Sequence, residues 1–222
     1  VVGLDDILAT VGIVAVLNKI ADAFSDASDK ATAFETNVAM VSTVADTTVL
    51  SADQLSTQIS GLSKDTAKNV NALADATYNA ISAGVATEGA VETVGKASKL
   101  ATAGFTSSAS ALSVLTTALN AYQLEASEVT NISDSLITSQ NLGVMTIDQL
   151  SSSMGKAIST ASAYSIDLYN LESGYISLTK AGVSVEESTT YISSMFNELG
   201  DSGSEVAGVI MEETGQSFGQ LM

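Results

Sequence analysis

"KAGVSVEES", residues 180–188, closes one helix and opens the next with almost nothing between them. Lys180 is a cation suited to the negative end of a helix, and Gly182 can take the left-handed conformation that ends one. Ser184 with Glu187 three residues later is a capping box, in which each side chain bonds the other residue's backbone amide. The punctuation recurs at "AGVATEG" (Gly84, Val85, Thr87), "AGFTSSAS" (Gly104, Phe105, Thr106) and "LGVMTIDQ" (Gly143, Val144, Thr146). Each corner reads as a glycine in the left-handed C′ position, an apolar residue folding back onto the finished helix, and a hydroxyl capping the next. Thr146 with Gln149 and Ser51 with Gln54 repeat the capping box.

Between the corners the apolar spacing is helical. Ala109, Leu112, Leu115, Leu119 and Tyr122 form one stripe, and Ile147, Leu150, Met154, Ile158 and Ala161 another. Phe34, Val38, Val41 and Ala45 precede them, and Val185, Ile192, Met195, Phe196 and Leu199 follow. Each stripe needs a neighbour to cover it. The stripes and caps predict a long first helix over 4–46, with "DASDK" at 26–30 as its candidate break. Shorter helices are predicted at 51–62, 66–82, 87–102, 107–122, 126–140, 146–164, 167–180, 184–199 and 203–219. Connections this short make successive helices neighbours. The expected fold is all-α: a multi-helix bundle of short antiparallel helical hairpins, residues 47–222, preceded by a long N-terminal helix, residues 1–46. Intervals between the glycine corners, near 20 or 40 residues, are unequal and do not suggest a strict solenoid repeat.

Composition agrees. The 222 residues contain no Pro, Cys, His or Trp, whereas average usage would supply about 11 prolines. The rigid turns of β-rich folds are missing with them. Without Cys and His there are no disulfides, no thiol nucleophile, no Cys/His zinc site and no imidazole base. A net charge of −17, from 25 Asp and Glu against 8 Lys and Arg, opposes direct nucleic-acid binding, which draws on clustered cations. The most apolar run, "ILATVGIVAVL" at 7–17, is shorter than the roughly 20 residues of a membrane span and lacks a basic flank for a signal peptide. It reads as a buried helix. The first residue is Val1, which points to a piece of a longer or processed protein.

No constellation for chemistry emerges. The adjacent acids in "LDD" (4–6), "VEES" (185–188) and "MEET" (211–214) sit at or near predicted helix starts, where the dipole favours them. No serine lies in a G-x-S-x-G elbow, and "SMGKAIS" (153–159) lacks the first glycine of a phosphate loop and falls inside an apolar stripe. Ser153 and Lys156 make a Ser-x-x-Lys without the motifs that accompany it in β-lactamases. Met154, Met195, Phe196 and Tyr191 fall at core spacing. The expected catalytic, cofactor-binding and metal sites are therefore none, and the chain reads as no enzyme.

A family resemblance rests on five stretches: "ATYNAISAG" (76–84), "KASKLATAGFTSSASALSVLTTALNAYQLEA" (96–126), "ISDSLITSQNLGVMTIDQLSSSMGKA" (132–157), "GYISLTKAGVSVEESTTYISSMFNEL" (174–199) and "EETGQSFGQLM" (212–222). Their order and spacing resemble the core region of tailed-phage tape measure proteins, over about residues 30–222. The resemblance implies a structural virion protein acting in tail assembly, tail-length determination and genome ejection. It implies location in the tail lumen or tip, with host cytoplasm during assembly, in a phage, a prophage or a related particle. The implied partners are further copies of the chain on the tail axis, tail-tube proteins, and tail-tip or baseplate proteins. Membrane contact, wall lysis and the long coiled-coil repeats of the family belong to segments other than this one. The alternative is a helical secreted effector or translocator of a bacterial injection system that shares the corner chemistry. The first helix, apolar around most of its circumference at 8–17, needs either a central place in the bundle or burial by copies of itself or by another tail protein. Several copies on one axis favour self-association or tail-tip packing.

Overall fold

The computed structural model describes residues 4–221, with side chains described from Lys19 onward apart from Ile20, Phe24, Ala27 and Gly219. The expected burial of residues 7–17 lies outside the described side chains. All regular structure among the described residues is helical: α1 Leu4–Val44, α2 Ala52–Thr66, α3 Val70–Ser82, α4 Thr87–Ala103, α5 Ser108–Ala121, α6 Val129–Leu142, α7 Ile147–Ala163, α8 Leu168–Lys180, α9 Val185–Gly200, α10 Glu205–Thr214 and α11 Phe218–Leu221. A single 3₁₀ turn, Ala126–Glu128, leads into α6.

Local chemistry sets most boundaries. The three capping boxes form as the spacing predicts, at Ser51/Gln54, Thr146/Gln149 and Ser184/Glu187. Asn69, Ser107, Asp167 and Ser204 cap α3, α5, α8 and α10. Asp26 to Lys30 do not break α1, where Lys30 instead pairs with Asp26 at 2.7 Å, one turn apart. The predicted last helix is two, because Gly215 turns left-handed at φ +71° and Ser217 restarts the chain with its amide on Gln220 Oε1 at 2.9 Å. The acids of "MEET" consequently sit in the last turn of α10, not at a helix start.

The glycine corners divide into two kinds. Gly84 and Gly182 have φ +98° and +90°, as expected. Val85 and Val183 close these ends by donating their amides to the carbonyls of Ala80 and Leu178, both at 3.0 Å. Gly104 and Gly143 end their helices with φ −89° and −93°, so neither is left-handed. Gly104 is a glycine for room, since a Cβ there would come within 2.7 Å of Ile147 Cγ1; a Cβ on Gly143 would meet only the movable tip of Met145 at 2.6 Å, with Thr179 Oγ1 and the Ser139 carbonyl at 3.1 Å. The left-handed role after α4 falls on Phe105 at φ +52°, and Ser107, not Thr106, caps α5. Thr87 is not a cap either. Its hydroxyl accepts the Asp46 amide at 2.8 Å and ties the end of α1 to the start of α4. Gln123 and Ser165 take positive φ at corners with no glycine.

The helices assemble by alternation. α1, α3, α5, α7 and α9 form one row, each packed on the next, and α2, α4, α6 and α8 form a second row in the same way. A helix therefore packs on its next-but-one neighbour, the arrangement of stacked repeat folds. Hydrogen bonds align the rows at both edges. At one edge, Asn120 at the end of α5 bonds the Ala83 carbonyl before α4, and Ser162 in α7 bonds the carbonyl of Ala121, the last residue of α5. At the other, Thr106 bonds Asp148, and the Val144 amide donates to Thr179 Oγ1 at 3.2 Å. The unequal corner intervals have a simple origin in this arrangement. Gly84 precedes α4 and lies at one edge, while Gly104, Gly143 and Gly182 lie at the opposite edge, 39 residues apart. The core runs down the middle through Leu55, Leu100, Leu115, Leu136, Leu150, Met154, Ile158 and Tyr175, all essentially inaccessible.

Candidate functional site

Charge is divided between the two edges of the stack. The edge formed by the connections at 45–51, 83–86, 122–128, 164–167 and 201–204 carries Asp46, Glu88, Glu125, Asp167 and Asp201, with no lysine within four residues of any of them. The opposite edge carries Lys64, Lys68 and Lys180 beside Asp65, Asp148, Glu186 and Glu187, and is close to neutral. Unpaired carboxylate charges along one edge oppose the approach of a nucleic-acid backbone there.

The second edge also displays apolar tips. Phe105 is 93% exposed and Val144 71% exposed, so neither folds back onto its helix as the corner pattern predicts. The left-handed backbone of Phe105 and the two hydrogen bonds that bind this edge together turn both side chains outward. Val85 does fold back and is buried. Among the four residues expected in the core, Met154 and Phe196 are buried, whereas Tyr191 and Met195 are exposed. The stripe on α9 is narrower than the apolar pattern suggests because only Val185, Ile192 and Phe196, with the small Ser188, Thr189 and Ser193, face inward.

One buried ionisable group escaped the sequence reading. Glu172 lies on the inner face of α8, in the register Leu168, Glu172, Tyr175, Thr179, and is 3% exposed. That placement on an apolar stripe is the sequence signal that would have found it. Burial pushes its carboxyl up from 4.5 to about 7, against the lowering effect of hydrogen bonds from Ser135 and Ser139. Ser135 Oγ donates to Glu172 Oε1 at 3.0 Å. The carboxyl forms the floor of a groove between α6 and α8 lined by Asn131, Asp134, Thr138 and Tyr169. Tyr122, at the end of α5, has a buried hydroxyl without a hydrogen-bond partner, and burial with the charges of Asp167 and Glu172 pushes its ionisation upward. Tyr175 is paired, its hydroxyl 2.6 Å from Thr189 Oγ1, and burial raises it to about 12. This set is a polar joint between helices: one carboxyl, two phenols and serines, with no imidazole, thiol or cation placed to relay a proton.

The sequence candidates for chemistry are dispersed. Glu187 is occupied in its capping box, Glu186 is exposed beside it, and Ser153 and Lys156 stand on α7 with the apolar Met154 fully buried between them. Among the described residues, no group of three His, Cys, Asp or Glu is arranged to hold a metal ion, and no helix is long and apolar enough to cross a membrane.

The remaining features are the two ends of the stack. α1 packs on α2 and α3 through its C-terminal part, where Val38 and Val41 are buried and Phe34, with Ala45 just past the helix end, partly so. Every described side chain from Lys19 to Ala33 is exposed. The 30 residues from Leu4 to Ala33 span about 45 Å of helix at a rise of 1.5 Å per residue. At the other end of the row, α8, α9 and Phe218 of α11 enclose an apolar groove of about 390 Å³.

The family comparison gives these surfaces a context. Residues 56–222 match the family described as phage-related minor tail protein. The chain belongs to this family. Membership gives it a structural, virion-associated role in the phage tail. A similar protein is the "Probable tape measure protein" of Clostridium phage phiCD119, 28% identical over 206 residues that make up 88% of this chain and 22% of that protein. The chain thus spans about a fifth of the length of this curated relative, and the tape measure resemblance carried by the five ordered stretches is borne out. No solved structure matches the chain.

Proposed function

We propose that the chain is a segment of a tail tape measure protein, with residues 47–222 as a helical core and residues 1–46 as an assembly element. In this reading it takes part in tail assembly, tail-length determination and genome ejection, and it meets tail-tube and tail-tip proteins as well as copies of itself. The observation that carries the reading is α1. A family of tail proteins supplies the context, and α1 continues beyond Phe34 for about 22 Å in which every described side chain from Lys19 to Ala33 is exposed, leading to the most apolar run of the chain at 7–17. A run this apolar needs a partner surface to remove it from water. The acidic edge supports the rest, because a surface that repels phosphate can share a narrow tube with DNA without adhering to it.

Molar mass in solution, measured for this chain and for a version lacking residues 1–25, tests the reading. Association of the full chain and loss of association in the shortened one are expected. Two equally soluble monomers would remove α1 as an assembly element.

A further inference from the structure

The row α1, α3, α5, α7, α9 is asymmetric at its two ends. α3, α5 and α7 are each flanked on both sides within the row, and at the first end α1 itself supplies the flanking helix. α9 has α7 on one side, and on the other the short α10 and α11. α11 holds the place after α9 with a single turn, its Phe218 stacked edge-on against Tyr164 at 6.4 Å between ring centres. α10 offers little cover, since none of its residues is buried and Val206, Val209 and Met211 face water. The groove beside α11 is lined by Ile166, Leu171, Gly174, Ile192, Met195 and Phe196. Met195, 48% exposed, stands at its open side.

We propose that this groove between α8 and α9 receives the N-terminal part of α1 from a second copy of the chain. The inference rests on the reading of α1 as an assembly element and names the surface that takes it. Two observations select a copy of the chain as the occupant. The first is continuity of packing. The covered face of α1, where it packs on α2 and α3, carries Phe34, Val38 and Val41, an i, i+4, i+7 set, and the sequence repeats that set earlier in α1 at Ile7, Val11 and Val14. A second α1 placed against α8 and α9 extends the stack across copies, as α1 extends it at the first end by packing on both α2 and α3. The second is charge. Copies of a chain at −17 repel one another, so contact is favoured where neither surface is charged. None of the groove-lining residues is ionisable, and residues 7–18 contain no charged side chain. Gly174 leaves the floor open, with only the Ile192 side chain near its missing Cβ, at 3.4 Å. The contact joins different surfaces of two copies, so it is head-to-tail and propagates along an axis or closes into a ring.

The absence of cysteine makes a direct test clean. Met195→Cys in one preparation of the full chain and Val14→Cys in another are mixed and cross-linked with a short bis-maleimide, with Thr190→Cys, on another side of α9, in place of Met195→Cys as the control. The expected result is a Val14–Met195 cross-linked dimer, much less of it with Thr190→Cys, and a drop in molar mass to the 22.6 kDa of one chain in Met195→Glu. Circular dichroism of Met195→Glu, unchanged from the parent, shows that the loss is of association and not of folding. If Val14→Cys cross-links only with itself while deletion of residues 1–25 still abolishes association, α1 pairs with α1 and the groove assignment is overturned. If the full chain is monomeric and no pair cross-links, the groove assignment and the assembly role of α1 both fail.

Discussion

Replacing Glu172 by Gln keeps the shape of the side chain and its bond to Ser135 while removing the ability to ionise. The carboxyl titrates near 7 in the folded chain and near 4.5 when exposed. Because the folded value is the higher, the folded state holds the proton over that interval and the unfolded state releases it. Stability from this group is complete below about pH 4.5 and is lost as pH rises towards and through 7. A difference of about 2.5 units at 1.36 kcal/mol each is about 3 kcal/mol. Little of it is screened, since the residue is buried. Urea unfolding of both proteins by circular dichroism from pH 4 to pH 8 reads this directly, and the other carboxylates cancel in the difference. Glu172→Gln should be more stable by about 3 kcal/mol at pH 8 and by less than about 0.5 kcal/mol at pH 4. A stability difference that does not change with pH would show that Glu172 is not buried as an uncompensated acid, and that the α6–α8 groove is wetter than its geometry implies.

Three further outcomes follow from the corners. Gly182→Val should cost about 1–2 kcal/mol in thermal or urea unfolding through backbone strain alone, because φ is +90° and nothing lies within 4 Å of its missing Cβ. Gly104→Val should cost about 1–3 kcal/mol by overpacking, since φ is ordinary there and Ile147 blocks the added carbon; enlarging Gly104 while shortening Ile147 to Val should recover part of the loss, and no recovery would point back to backbone strain. Phe105→Gly should raise stability by up to about 1 kcal/mol, because the ring is almost wholly exposed and the backbone left-handed; a loss of stability would mean that the ring packs on the fold after all.

Helix existence and helix ends were legible in the sequence because they depend on groups three to five residues apart. The boxes at Ser51, Thr146 and Ser184, and the stripe Ile147, Leu150, Met154, Ile158, Ala161, are complete statements of local chemistry, and each appears in the structure as it reads. What the corners look like from outside was not legible. Gly104 and Gly182 stand in the same motif, yet one serves to let α7 approach and the other to turn the chain left-handed. That distinction belongs to Ile147, 43 positions away from Gly104 in the chain. The exposure of Tyr191 and Met195 and the burial of Glu172 have the same origin: periodicity marks a face, and only the packed neighbours determine how wide the covered strip is and whether a carboxyl falls under it. Stacking of next-but-one helices is likewise a property of the two rows together. The 39-residue spacing of Gly104, Gly143 and Gly182 stands in the sequence, but Gly84 obscures it until the fold puts that glycine at the opposite edge. Short-range hydrogen bonds and helical periodicity determined the elements; burial, which depends on distant residues meeting, determined the rows, the edges and the open groove.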